Sequence, residues 1–290
     1  MKNTIKSDEQ ALIDTNYTAI QWVGMSSVQL AIIDNEINVP ATVDMFVDLK
    51  SGSRGIHMSR LYQIMIDYLA NKKINLPNLK IILNKFIESQ GGLSQQAKLK
   101  IDFKTLVASK SLKSELTGFR SYPVVIEAIL NKNGFEIYNL KLEIMYSSTC
   151  PQSAKLSKEV FKNQLDTEKK LLEWYDSDRI FPATPHAQRS LMTVEIQTNL
   201  STEIDIQKCI FMIENELQTA VQTAVKKADE MEFARLNSEN TMFCEDSVRK
   251  IDSLLSKNLA LSGYRITAEH FESLHSHNAY SQIAKNYKSN

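Results

Sequence analysis

The sequence has no net charge: 34 Lys and Arg are balanced by 34 Asp and Glu in 290 residues. A broad nucleic-acid or membrane footprint draws on an excess of positive charge, so neutrality argues against both and makes any anion site local. Long apolar runs are missing too. The N-terminal stretch MKNTIKSDEQALIDTNYT is polar, without the apolar core of a secretory signal, and no later segment is long and apolar enough to span a bilayer. The expectation is a cytoplasmic protein. Cysteine is scarce, odd in number and unpaired by spacing (Cys150, Cys209 and Cys244), as expected of a reducing compartment. There are only five histidines, and no CxxC or HExxH motif announces a compact metal site.

What remains is an ordinary globular composition, 43% hydrophobic and 23% charged, long enough for one large domain or two modest ones. PATVDMFVDLK alternates, with Val43, Met45, Val47 and Leu49 on one face and Asp44 and Asp48 on the other, the period of a half-buried strand. RLYQIMIDYLANK then takes helical spacing, and a second helix over roughly 78–88 follows Pro77 and stops at Gly91 and Gly92. AKLKIDFKTLVA is again a strand, with Leu99, Ile101, Phe103 and Val107 opposite Lys98, Lys100, Asp102 and Lys104. YPVVIEAILNKNGFEIYNLKLEIMYSS reads as a hairpin turning at Asn133 and Gly134.

After a polar, helix-leaning segment over 152–185, the order repeats. RSLMTVEIQTNL is a strand, a long helix runs from Ile206 through Val221, another starts near Glu245, and YRITAEHFESLH closes the chain as a strand. The expected architecture is α+β, with antiparallel sheets carrying helices on one face. The expected units are 1–149 and 150–290, the second containing the insertion at 152–185.

Cys150, in YSSTCPQS at the mouth of a strand, is either a small filler or a reactive group on display; Cys209, on a helical apolar stripe, reads as filler. His57, His186, His270, His275 and His277 all avoid the middle of apolar stripes. Cys150, His186, one of His275 or His277 and a helical acid would supply a mixed donor set for a divalent metal. Asp229, Glu230, Glu245 and Asp246 are the available acids, and each reads equally as a charge at a helix start. In SRGIHMSR, Gly55 permits a tight turn, and His57 and Arg60 lie one turn apart where free N–H groups favour anions, so this is either a phosphate site or an ordinary charged helix start.

RGIHMSRLY, YPVVIEA, TCPQS, PHAQRS, QTAVQTAVKKADEMEFARLN, FCEDSVRK and FESLHSHNA stand in an order that resembles GTP cyclohydrolase I of type IB, from about Val23 to Ala279. One departure from many members is the length of the stretch between Cys150 and His186. The resemblance implies tandem tunnelling-fold units whose sheets assemble into barrels, a homotetramer, and active sites at subunit interfaces. It implies hydrolysis of GTP to 7,8-dihydroneopterin triphosphate and formate, the entry to folate-type pterins and, in bacteria, to deazapurines such as queuosine.

The same resemblance assigns Cys150, His186, Glu230 and His275 to a divalent metal, zinc or manganese, with iron also admitted. It assigns Glu245 to the guanine edge, which its carboxylate would grip through N1–H and the exocyclic amine. His277 is then a candidate proton shuttle, an imidazole titrating near working pH, and Arg54, His57, Arg60 and Arg189 are candidates for the triphosphate. Two other readings stand beside this one. In another tunnelling-fold enzyme, such as a nitrile reductase, Cys150 would be a nucleophile needing no metal; in a non-catalytic purine-binding relative the donor set would have no use.

Overall fold

The computed structural model describes residues 14, 16–179, 181–257 and 261–288. Eight strands form one sheet in sequence order, every neighbouring pair antiparallel. They are β1 (Ile20–Asp34), β2 (Ile37–Leu49), β3 (Gln96–Lys110), β4 (Thr117–Asn131), β5 (Glu136–Thr149), β6 (Ala187–Thr198), β7 (Gly263–His270) and β8 (Ala279–Lys285). Helices α1 (Met58–Tyr68) and α2 (Leu76–Ser89) join β2 to β3. The excursion α3 (Pro151–Gln164) and α4 (Glu168–Tyr175) joins β5 to β6, and α5 (Ile206–Leu217), α6 (Lys227–Glu239) and α7 (Cys244–Leu255) join β6 to β7. The order of two strands, helices and two strands occurs over β1–β4 and again over β5–β8, the latter with the α3–α4 excursion inserted between its first two strands. By that order β5, which the sequence reading puts within 1–149, is grouped with β6.

Alternation decides which face is buried. Val43, Met45, Val47, Leu99, Ile101, Val124, Ile126, Leu142, Ile144, Val194 and Ile266 are buried in the single core beneath the helices. Their in-between neighbours Asp44, Lys98, Lys100, Asp102, Lys141, Glu143, Glu195 and Arg265 lie on the opposite face, half-buried or exposed. That face is held by cross-strand charges: Lys100 Nζ lies 3.9 Å from Asp44 Oδ2, and Arg265 Nη2 donates to Glu195 Oε1 at 2.7 Å.

Two boundaries differ from the sequence expectation, each for a local reason. The stripe expected to run as one helix to Val221 stops at Leu217, because Gln218 adopts a left-handed conformation (φ 64°) and Thr219 Oγ1 donates to Ser147 O at 2.6 Å. The chain then lies beside β5, with Tyr146 and Ala220 forming an isolated bridge. At the other end, the closing strand is followed by β8, whose pattern of exposed and half-exposed residues marks an edge with a weak sequence signature.

Antiparallel order also sorts the loops to two ends of the sheet. The C-terminal ends of β5 and β7 and the N-terminal ends of β6 and β8 meet at one end. The C-terminal end of β2 lies at the other, beside the start of β3.

Candidate functional site

Cys150 ends β5 and opens α3. Its backbone is extended (φ −68°, ψ 122°), and Pro151 takes the first helical position, where a missing N–H costs nothing. The thiol sulfur accepts from Ser153 N at 3.4 Å, as a capping oxygen would, and the residue remains half-buried. β6 starts beside it: the Cys150 amide donates to His186 O at 3.2 Å, and the His186 amide donates to Ser153 Oγ at 3.1 Å. Both ends of the α3–α4 excursion are therefore tied together. Its length leaves Cys150 and His186 adjacent.

A cavity of about 210 Å³ lies at this end of the sheet, lined by Cys150, Gln188, Cys244, Glu245, His270 and Glu272 among others. Glu272 is the residue that sequence reasoning missed. Its Oε2 is buried without a hydrogen-bond partner and sits 3.6 Å from His186 Nδ1. A buried carboxylate oxygen is costly unless a donor or cation meets it. The Cys150 thiol and the orphaned Glu272 oxygen at the cavity, with the His186 imidazole next to Glu272, are donors of the types that suit a zinc- or manganese-class ion. Among the described residues, no three of His, Cys, Asp and Glu are grouped closely enough to hold a metal within this one chain.

The two acidic pairs resolve by helix geometry. At the start of α7, Asp246 Oδ2 accepts from Phe243 N at 3.0 Å, which leaves Glu245 exposed beside the cavity. At the start of α6, Asp229 is fully buried and accepts from Lys226 N (2.7 Å), Lys113 N (2.7 Å) and Ser114 N (2.9 Å). The Ser114 hydroxyl, with those amides, holds its carboxyl well below the usual carboxylate range. Glu230, next to it, is exposed and does not line the cavity.

His275 and His277 belong to the β7–β8 loop, which also carries Glu272 and returns to the cavity at Ala279 and Tyr280. Their rings stack with centroids 5.1 Å apart and planes at 14°, both exposed. His270, named in the sequence only as one of five, is buried: its Nε2 lies 2.8 Å from Tyr146 Oη and 3.2 Å from Ser247 Oγ. Burial pushes its pKa down to about 4, so it is neutral near pH 7. Cys209 is half-buried on α5, and burial pushes its thiol up to about 11, in keeping with the filler reading.

The triphosphate candidates are scattered. Arg54, His57 and Arg60 follow β2 at the opposite end of the sheet, where Gln90 Oε1 accepts from His57 N at 2.8 Å and Arg60 Nη1 donates to Ser89 O. Strands of 13 or 14 residues separate that end from Cys150, roughly 45 Å at the usual rise. Arg189 is exposed and alternates with Gln188 and Ser190, so it faces away from the cavity side of β6.

Residues 7–281 match the family model described as type I GTP cyclohydrolase folE2. Among curated relatives, a GTP cyclohydrolase FolE2 of Pseudoalteromonas translucida is 38% identical over 281 residues, covering 92% of each chain. Another, of Bdellovibrio bacteriovorus, is 38% identical over 286 residues, covering 94% of this chain and 93% of its own. Among solved structures, a uricase from Arthrobacter globiformis superposes with a TM-score of 0.51 at 8% identity, covering 93% of this chain and 96% of its own. That likeness is one of fold, and the fold is the α+β tunnelling fold.

Proposed function

Because the chain belongs to the type I GTP cyclohydrolase folE2 family, we propose that it hydrolyses GTP to 7,8-dihydroneopterin triphosphate and formate at the cavity beside Cys150 and His186. The observation that carries this is a cavity lined by the Cys150 thiol, Glu245 and the orphaned Glu272 carboxylate, with the His186 imidazole 3.6 Å from that carboxylate. A nucleophilic-cysteine enzyme or a purine binder has no need of that combination.

In this reading Glu245 accepts paired hydrogen bonds from guanine N1–H and the exocyclic amine, a pattern adenine cannot offer. Its place on the first turn of α7 fixes the base against the cavity, since Asp246 has already capped the helix. Cys150, His186, Glu230 and His275 would hold a divalent metal, Zn or Mn, with Fe also admitted by the donor set. Such an ion, when bound, supplies hydroxide near neutral pH by lowering the pKa of water. Water adds at C8 of the purine, the imidazole ring opens to a formamide, a second hydrolysis releases formate, and the rearranged ribose closes the pterin ring. His277 moves protons during these steps, and Glu272 lies close enough to His186 to hold a proton or orient the ring.

Of the four metal candidates only Cys150 lines the cavity, and Arg54, His57 and Arg60 lie at the sheet's other end. A second copy therefore completes the site, as in a homotetramer of barrel-forming sheets with interfacial active sites. Arg189, on the open face of β6, would meet the triphosphate from that side. The product suits folate-type pterin synthesis and deazapurine synthesis in the cytoplasm.

Cys150→Ala tests the assignment. Turnover of GTP, followed as pterin fluorescence after oxidation, is expected to fall by more than the roughly 10–100-fold typical of losing a residue that only supports a metal ligand. Assembly and thermal stability are expected to stay near wild type. Full activity in that variant removes the cavity as the reaction centre.

A further inference from the structure

His186 sits at the end of a chain of polar side chains that reaches into the core. Its Nδ1 lies 3.1 Å from Gln188 Oε1 and 3.6 Å from Glu272 Oε2. Gln188 Nε2 donates to Ser148 Oγ at 2.9 Å, and Ser148 Oγ lies 2.8 Å from Ser190 Oγ. Both serines are fully buried, so neither hydroxyl can turn to solvent for a partner. Alternation along β6 puts His186, Gln188 and Ser190 on one face, and Ser148 pairs with Gln188 across the β5–β6 ladder.

The proton on the imidazole follows from these neighbours. A neutral ring carries one N–H. Were Gln188 turned to present its amide N–H₂ to Nδ1, that nitrogen would need its lone pair outward, and the lone pair would also face the Glu272 carboxylate. With Oε1 toward the ring, the Nδ1 proton is donated to Gln188 on the side where the Glu272 carboxylate lies 3.6 Å away, and Gln188 Nε2 meets the serine pair. Both ends of the Gln188 amide then have a partner. Nε2 of His186 makes no hydrogen bond to any described residue, so its lone pair is uncommitted.

We infer that Gln188 is a positioning residue: by accepting from Nδ1–H it locks His186 in one tautomer and leaves Nε2 as the ring's only lone pair, free for a ligand. Partners of this kind fix ring orientation and raise ligand basicity at metal-binding histidines. The inference rests on the reading of His186 as a metal ligand, and its test separates the two.

The metal-free chain, labelled with ¹⁵N-histidine, is examined by two-bond ¹H–¹⁵N correlation at about pH 8, above the ordinary imidazole range. His186→Asn identifies the resonance. Wild type is expected as the Nδ1–H tautomer, Gln188→Leu as the Nε2–H form or a mixture, and Gln188→Glu, which restores an acceptor, as Nδ1–H again. Co²⁺ titration followed by thiolate charge-transfer absorption is expected to weaken about 10- to 100-fold in Gln188→Leu and to recover in Gln188→Glu.

An Nε2–H tautomer in the wild type overturns the inference without Gln188→Leu having to fold. So does a Gln188→Leu chain, folded by circular dichroism, that keeps both tautomer and Co²⁺ affinity. If the tautomers behave as expected while His186→Asn binds Co²⁺ like wild type, the ligand reading fails and the role of Gln188 in fixing the ring stands.

Discussion

Asp229 and Glu230, like Asp246 and Glu245, are sequence neighbours with opposite fates. One carboxylate of each pair satisfies free amides at a helix start, and the other is left exposed. The sequence offers all four as either helix-start charges or site acids, and only backbone geometry separates them. Gln188 and Glu272 were harder to see. Gln188 lies two residues beyond His186 and so shares its face, a signal that strand periodicity carries, but Glu272 sits in a loop without a period, and only its orphaned oxygen marks it. His270 gives this scale its prediction. Its pKa falls from 6.5 to about 4 on folding, so between those values the unfolded chain binds more protons than the folded one. Stability therefore rises with pH across that window and is lost as pH falls through it, by on the order of 3 kcal/mol for this group. Urea unfolding from pH 4 to 6.5 should show that slope in wild type and a flatter one in His270→Gln; identical slopes count against a buried neutral His270.

At the scale of elements, strands with clean alternation were legible to within a few residues, because one face is buried and a slip of one residue would expose the core. Edge strand β8 and the end of α5 were not, since no residue of β8 is fully buried and Gln218 takes its turn under tertiary hydrogen bonds to β5. The α3–α4 excursion is a third kind of case. Neither helix has a buried residue, and its order comes from Phe161, Trp174 and Phe181, with ring centroids 5.4 to 6.4 Å apart, and from its tied ends at Cys150 and His186. Trp174→Ala should speed amide exchange across 151–175 while moving global stability by less than about 1 kcal/mol. A global loss of about 3–5 kcal/mol, the cost of truncating a core aromatic, would mean the excursion is part of the main core.

At the scale of the whole molecule, one antiparallel sheet sends the Cys150 cavity and the Arg54–Arg60 segment to opposite ends. Motif order along the sequence hides that separation, because loops consecutive in the sequence need not share an end of the sheet. If the site forms between copies, chains carrying Cys150→Ala and Arg60→Ala, each nearly inactive alone, should regain about a quarter of wild-type turnover when co-assembled in equal amounts, the fraction of interfaces with both intact halves. No recovery in mixed assemblies of verified composition argues that each chain completes its own site.

In the proposed function, a divalent metal held beside Cys150 and His186 drives hydrolysis of GTP. Formate release from GTP, measured on chain stripped of metal and again after adding Mn²⁺ or Zn²⁺, tests it most directly. Loss of release on stripping and its return with either ion is the predicted result; undiminished release after complete metal removal would contradict it.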